Sequence, residues 1–98
     1  MIDDDLSWLI NWYNNSQCDG DWEGSFGIQI QTSGNPGWGV TINIEQTELQ
    51  DKEYNEIRIE RTENDWIFCR VKNRRFEGNC GPFNLIEVFK VFRKWAED

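Results

Sequence analysis

The chain has 98 residues and a formal net charge of −8, with ten Lys and Arg against eighteen Asp and Glu and no His. That length holds one core and excludes two, while 38% hydrophobic and 14% aromatic residues exclude a disordered chain. The acidic balance argues against nucleic acid and anionic membranes, which require clustered Lys and Arg; it favours steering towards a basic partner, with plain solubility as the simpler use of the same charge.

The N-terminal "MIDDDLSW" is acidic where a secretory signal is basic, and no apolar run approaches the roughly 20 residues that span a bilayer. A cytoplasmic location is therefore expected, and "NNS" at 14–16 carries no meaning as a glycosylation site. From Asp5 to about Ser16 the spacing predicts a helix, with Leu6, Leu9, Ile10 and Tyr13 on one side and Trp12 widening the stripe. Asp3, Asp4 and Asp5 stand where carboxylates cap free backbone N–H groups and meet the positive end of the helix dipole.

The next stretch, "QCDGDWEGSFG", is the densest in chemistry. A nucleophilic Cys18 needs a neighbouring His or a positive field, and here it has Asp19, Asp21 and Glu23, which disfavour the thiolate. Those carboxylates alone offer acid–base groups without an evident partner. An EF-hand spreads its ligands over twelve residues with a late bidentate Glu, a pattern Gly20 and Glu23 do not follow, so no metal is expected. Cys18, Cys69 and Cys80 make an odd count without CxxC spacing, which speaks for reduced thiols rather than disulfides or zinc. Two readings remain. In one, Gly20 and Asp19 simply turn the chain and Trp22 covers the core edge. In the other, Asp19, Asp21, Trp22 and Glu23 form a docking loop for a basic surface, the aromatic anchoring and the acids steering.

Alternation of period two then predicts strands. Phe26, Ile28 and Ile30 form one; Trp38, Val40, Ile42 and Ile44 form the next, joined by a turn at Asn35, Pro36 and Gly37. Trp38 is expected to pack at the start of its strand. After the polar "EQTELQDKEYN", Ile57 and Ile59 mark a third strand. In the fourth, "DWIFCRVKN", Ile67, Cys69 and Val71 share one face, and Trp66, Phe68, Arg70 and Lys72 share the other. Trp66 and Phe68 then either stand on an open sheet face, marking a partner surface, or are buried by the "NRRFEG" segment folding back. A short strand at Phe76 precedes the turn "EGNCGP". From about Phe83 to Ala96 a second helix is expected, with Leu85, Val88, Phe89, Phe92, Trp95 and Ala96 as its apolar stripe and Pro82 in its first turn.

The expected fold is α+β: a single domain over 1–98, running helix, antiparallel meander of four to five strands, helix, with both helices on one sheet face and the other face wet.

With these residues in view, "WLINWYNNSQCDGDWEGSFGIQIQTSGNPGWGVTINI", followed by "DWIFCRV", "FEGNCGP" and "NLIEVFKVFRKW", resembles the immunity protein 53 family of bacterial polymorphic toxin systems. The pairing of "CDGDWE" with "NPGW" carries the resemblance. Two positions depart from the family pattern: Gly24 stands where a His commonly follows "DWE", and Ser33–Gly34 where Leu-Asp precedes "NPGW". The resemblance implies a cytoplasmic antidote that binds a cognate toxin, with neither catalysis nor cofactor. It puts Asp19, Asp21, Trp22, Glu23, Asn35 and Trp38 at signature positions. Composition favours a basic toxin, such as a domain that attacks nucleic acid, captured by charge steering. Two rivals stand beside this reading: a small enzyme using Cys18 or the Asp19, Asp21 and Glu23 carboxylates, and a homo-oligomeric scaffold pairing through Trp66 and Phe68.

Overall fold

The computed structural model describes residues 4–17, 27–34, 36–45 and 47–98. Seven elements follow one another: α1 (Asp5–Gln17), β1 (Ile28–Ser33), β2 (Gly37–Asn43), β3 (Ile57–Thr62), β4 (Asp65–Lys72), β5 (Arg75–Cys80) and α2 (Leu85–Glu97). The α+β class, the antiparallel sheet and the flanking helices match the expectation, and the short strand foreseen at Phe76 extends over six residues.

The strand order departs from a meander. It runs β1-β2-β5-β4-β3, so β5 sits between β2 and β4 and the β2–β3 connection crosses to the far edge. Burial explains the choice. β5 contributes Phe76 and Cys80, both fully buried, and Gly78, and it belongs in the middle of the sheet. The polar alternation of β3 (Arg58, Glu60) suits an edge, where charge also blocks unwanted strand pairing. Register aligns Ile42 with Phe76, Val40 with Gly78, Cys69 with Gly78, and Ile67 with Cys80 on one face.

That face is covered by both helices. Leu9 and Trp12 of α1 join Val88, Phe89, Phe92 and Trp95 of α2 in a single core with Val40, Ile42, Ile67, Cys69, Phe76 and Cys80. Phe92 is the hub, meeting Trp8, Trp12, Phe76 and Trp95 edge to face at 5.0–6.0 Å; such contacts add about 0.5–1.5 kcal/mol each beyond the area they bury. Where α2 crosses β5 the approach is close: a Cβ on Gly78 would lie 2.5 Å from Val88 Cγ1.

The buried stripe of α1 is rotated from the expected one. Trp8, Leu9 and Trp12 face the core, whereas Leu6, Ile10 and Tyr13 are exposed. Two indoles bury more apolar area than the residues they replace, and Trp12 Nε1 is fixed by a 3.0 Å hydrogen bond to Glu48 Oε1. Asp4 caps the helix, its Oδ1 accepting the Ser7 N–H at 2.7 Å. Asp5 instead faces α2, within 3.6 Å of Lys90 and 3.5 Å of Arg93. Asp3 lies outside the described residues.

The polar β2–β3 connection seals the core's end. Leu49 is fully buried, Trp95 Nε1 donates to the Glu53 carbonyl at 2.7 Å, and Lys52 Nζ donates to the carbonyls of Trp95 and Asp98 at 2.6 Å. A lysine on the last carbonyls of a helix satisfies acceptors that have no intrahelical donor. The second helix begins at Leu85, two residues later than expected: Pro82 and Phe83 form a turn, and Phe83 is 89% exposed.

Candidate partner-binding face

Alternation places a second set of side chains on the side of the sheet opposite the helices. Register assembles them into rows: Gln29, Thr41, Glu77 and Arg70 in one; Gln31, Gly39, Asn79, Phe68 and Arg58 in the next. Asn43, Arg75 and Lys72 make a third row, and Trp66 lies opposite Glu60. The "NRRFEG" segment does not fold over this face. Asn73 and Arg74 form the β4–β5 turn and the rest is β5 itself, in the plane of the sheet.

Trp66 and Phe68 are therefore together on the open face of β4, each half-buried. The cover over Phe68 is cationic. The Arg58 guanidinium lies 4.7 Å from its ring centroid and that of Arg70 lies 5.9 Å away. Arg70 is held in turn by Glu77, directly across the ladder, at 2.7 Å. A planar guanidinium on an aromatic face is a favourable arrangement that also fixes the arginine's rotamer.

Trp66 is held through its backbone. Its carbonyl accepts the Gly81 N–H at 2.9 Å and its N–H donates to Asn84 Oδ1 at 3.3 Å. Asn84 is buried and its Nδ2 donates to Asp65 Oδ1 (2.9 Å) and Glu87 Oε1 (3.0 Å), the two carboxylates that Arg61 bridges at 2.8 and 2.7 Å. Arg61 reaches them because the β3–β4 register shifts at that residue, the ladder passing from Glu60–Trp66 to Thr62–Asp65. The Asn84 amide and then Arg61 hold the Asp65 carboxyl below the usual range; for Glu87, Arg61 comes first and Asn84 second. Gly81 is needed here, since a Cβ would meet the Asn64 carbonyl oxygen at 2.7 Å.

The other expected site residues divide. Trp38 is half-buried on the helix side and packs against the core, its Nε1 donating to the Pro82 carbonyl at 3.1 Å. "NPGW" and "FEGNCGP" thus touch through Trp38 and Pro82. Asp19, Asp21, Trp22 and Glu23, with Cys18 and Asn35, lie outside the described residues. Arg58, which covers Phe68 from the neighbouring strand, was not foreseen as part of the site; only register brings it there. Cys69 and Cys80 are buried in the core, and burial, followed by the nearby Cys80, pushes the Cys69 thiol up to about 12. Among the described residues no group of three or more His, Cys, Asp or Glu gathers as a metal site would, and no helix is long and apolar enough to cross a membrane.

The family model described as Immunity protein 53 matches residues 6–97. No curated protein and no solved structure matches the chain.

Proposed function

The chain belongs to the immunity protein 53 family, and from that membership we propose that it is the cytoplasmic antidote to a cognate toxin protein, which it neutralises by stoichiometric binding without making or breaking covalent bonds. The family match across residues 6–97 carries the proposal. The net charge of −8 supports a toxin that is basic overall, drawn in by long-range attraction. Two surfaces are proposed as contacts: the acidic loop of Asp19, Asp21, Trp22 and Glu23 with Asn35, and the open sheet face of Trp66 and Phe68. Trp38 supports the fold through its bond to the Pro82 carbonyl.

The test is co-expression with the toxin domain encoded beside its gene. Cells making the toxin alone stop growing, growth returns when this chain is made with it, and light scattering of the purified pair gives a one-to-one complex. Cys18→Ser retains full protection in this reading. Loss of protection on that substitution would favour the enzyme alternative, and a dimer of the chain alone, broken by changing Trp66 and Phe68, would favour the scaffold.

A further inference from the structure

Outside the open face both signs of charge are mixed: the described acids on the helices and their ends, the β2–β3 connection, the turns and the start of β4, among them Asp4, Glu48, Asp51, Glu53, Asp65, Glu97 and Asp98, stand with Lys52, Lys90, Arg93 and Lys94. The open face carries Arg58, Arg70, Lys72 and Arg75 against Glu60 and Glu77. Arg70 is paired with Glu77. Lys72 and Arg75 are exposed, stand directly opposite each other in the ladder, and have no ion pair among the described residues. Like charges in that position work against the hairpin.

The turn between them is costly as well. Asn73 and Arg74 adopt φ values of 54° and 58°. Asn tolerates this left-handed conformation, but an Arg in place of Gly loses about 1 kcal/mol. Among the described residues the Arg74 side chain finds only a distant, exposed partner, Glu45 at 3.6 Å. The hairpin tip therefore holds three cations in four residues, Lys72, Arg74 and Arg75, against both backbone preference and mutual repulsion. Four residues back along β4 from Lys72, Arg58 is already ordered over Phe68 and loses little further freedom on binding.

We infer that this stripe, from Phe68 and Arg58 to Lys72 and Arg75, docks a carboxylate-bearing patch on the toxin protein. The inference rests on the proposed function and gives the complex two opposite-signed contacts: acids of this chain on the toxin's basic surface, and the sheet stripe on an acidic patch. A nucleic acid fits less well, since a chain of net charge −8 repels a continuous phosphate backbone and the stripe sets Glu77 among its cations.

The test is calorimetric titration of the toxin domain with the wild-type chain and with Lys72→Glu/Arg75→Glu, Arg58→Glu and Lys72→Ala/Arg75→Ala. Thermal unfolding of each variant shows that it is folded. The double reversal is expected to weaken binding at least tenfold, the alanine pair less, and the dependence of affinity on salt should flatten. If the wild type binds and the folded reversals bind as tightly, the inference is wrong and the proposed function stands. If the wild type does not bind, both fall. Tighter binding of a labelled single-stranded 20-mer than of toxin, or a wild-type dimer that the reversals dissociate, would overturn the acidic protein patch in favour of nucleic acid or a second copy.

Discussion

The two faces of the sheet solve different problems with similar residue types. On the helix side, aromatics meet aromatics: Phe76, Phe92, Trp12 and Trp95 interlock. On the open side, the aromatic ring of Phe68 is covered by arginines. Covering an aromatic with a guanidinium shields the ring from water and leaves the charged head at the surface. The contrast separates residues locked in the core from residues that stay accessible on the surface.

The largest effect that sharpens this contrast is at its hub. Phe92→Ala removes a ring touching four others and is expected to cost about 3–5 kcal/mol, a large share of a domain's roughly 5–15 kcal/mol; denaturant unfolding measures it. Gly78→Ala comes next. With Val88 Cγ1 2.5 Å from the new Cβ, overpacking is expected to cost about 1–3 kcal/mol. Val88→Ala in the same chain should recover part of that loss, and a double-mutant cycle showing simple additivity would contradict the close approach.

Asn84→Ala follows, at about 1–3 kcal/mol, because it leaves the Trp66 N–H and two carboxylates without their amide partner. The carboxyls of Asp65 and Glu87 are depressed in the folded chain. Their contribution is therefore complete above the ordinary carboxylate range of about 4 and is lost as pH falls through the depressed values. Wild type should lose stability over that acid window, and Asn84→Ala or Arg61→Ala should lose less. Equal slopes for all three would refute the linkage. The smallest effect is at Tyr54, whose hydroxyl is buried without a hydrogen-bond partner among the described residues; Tyr54→Phe should leave the melting temperature unchanged or raise it slightly.

How far these features were readable from the residues depends on whether they are local. Strand alternation and the stripe of α2 depend on neighbours in the chain, and among the described residues, which leave out Phe26, they appear where expected, as does the segregation of Trp66 and Phe68 from Ile67 and Cys69. Strand order is a competition between β3 and β5 for the place beside β2, decided by total burial rather than by any local signal. The rotated stripe of α1 has the same origin, since Trp8, Leu9 and Trp12 and the rival set Leu6, Ile10 and Tyr13 both have helical spacing. The Asn84 clasp joins residues from β3, β4 and α2 through a register shift, and nothing in any one segment announces it. On the candidate face, the position of the aromatic pair was legible, but the arginine cover needed the ladder.

One measurement bears most directly on the proposal that the open face meets the toxin: the affinity of Trp66→Ala/Phe68→Ala for the toxin domain, taken alongside its melting temperature. Binding should weaken by about thirtyfold or more, as removing 2 kcal/mol of central contact does, with the chain still folded. Undiminished affinity in a folded double variant would mean that the toxin is met elsewhere.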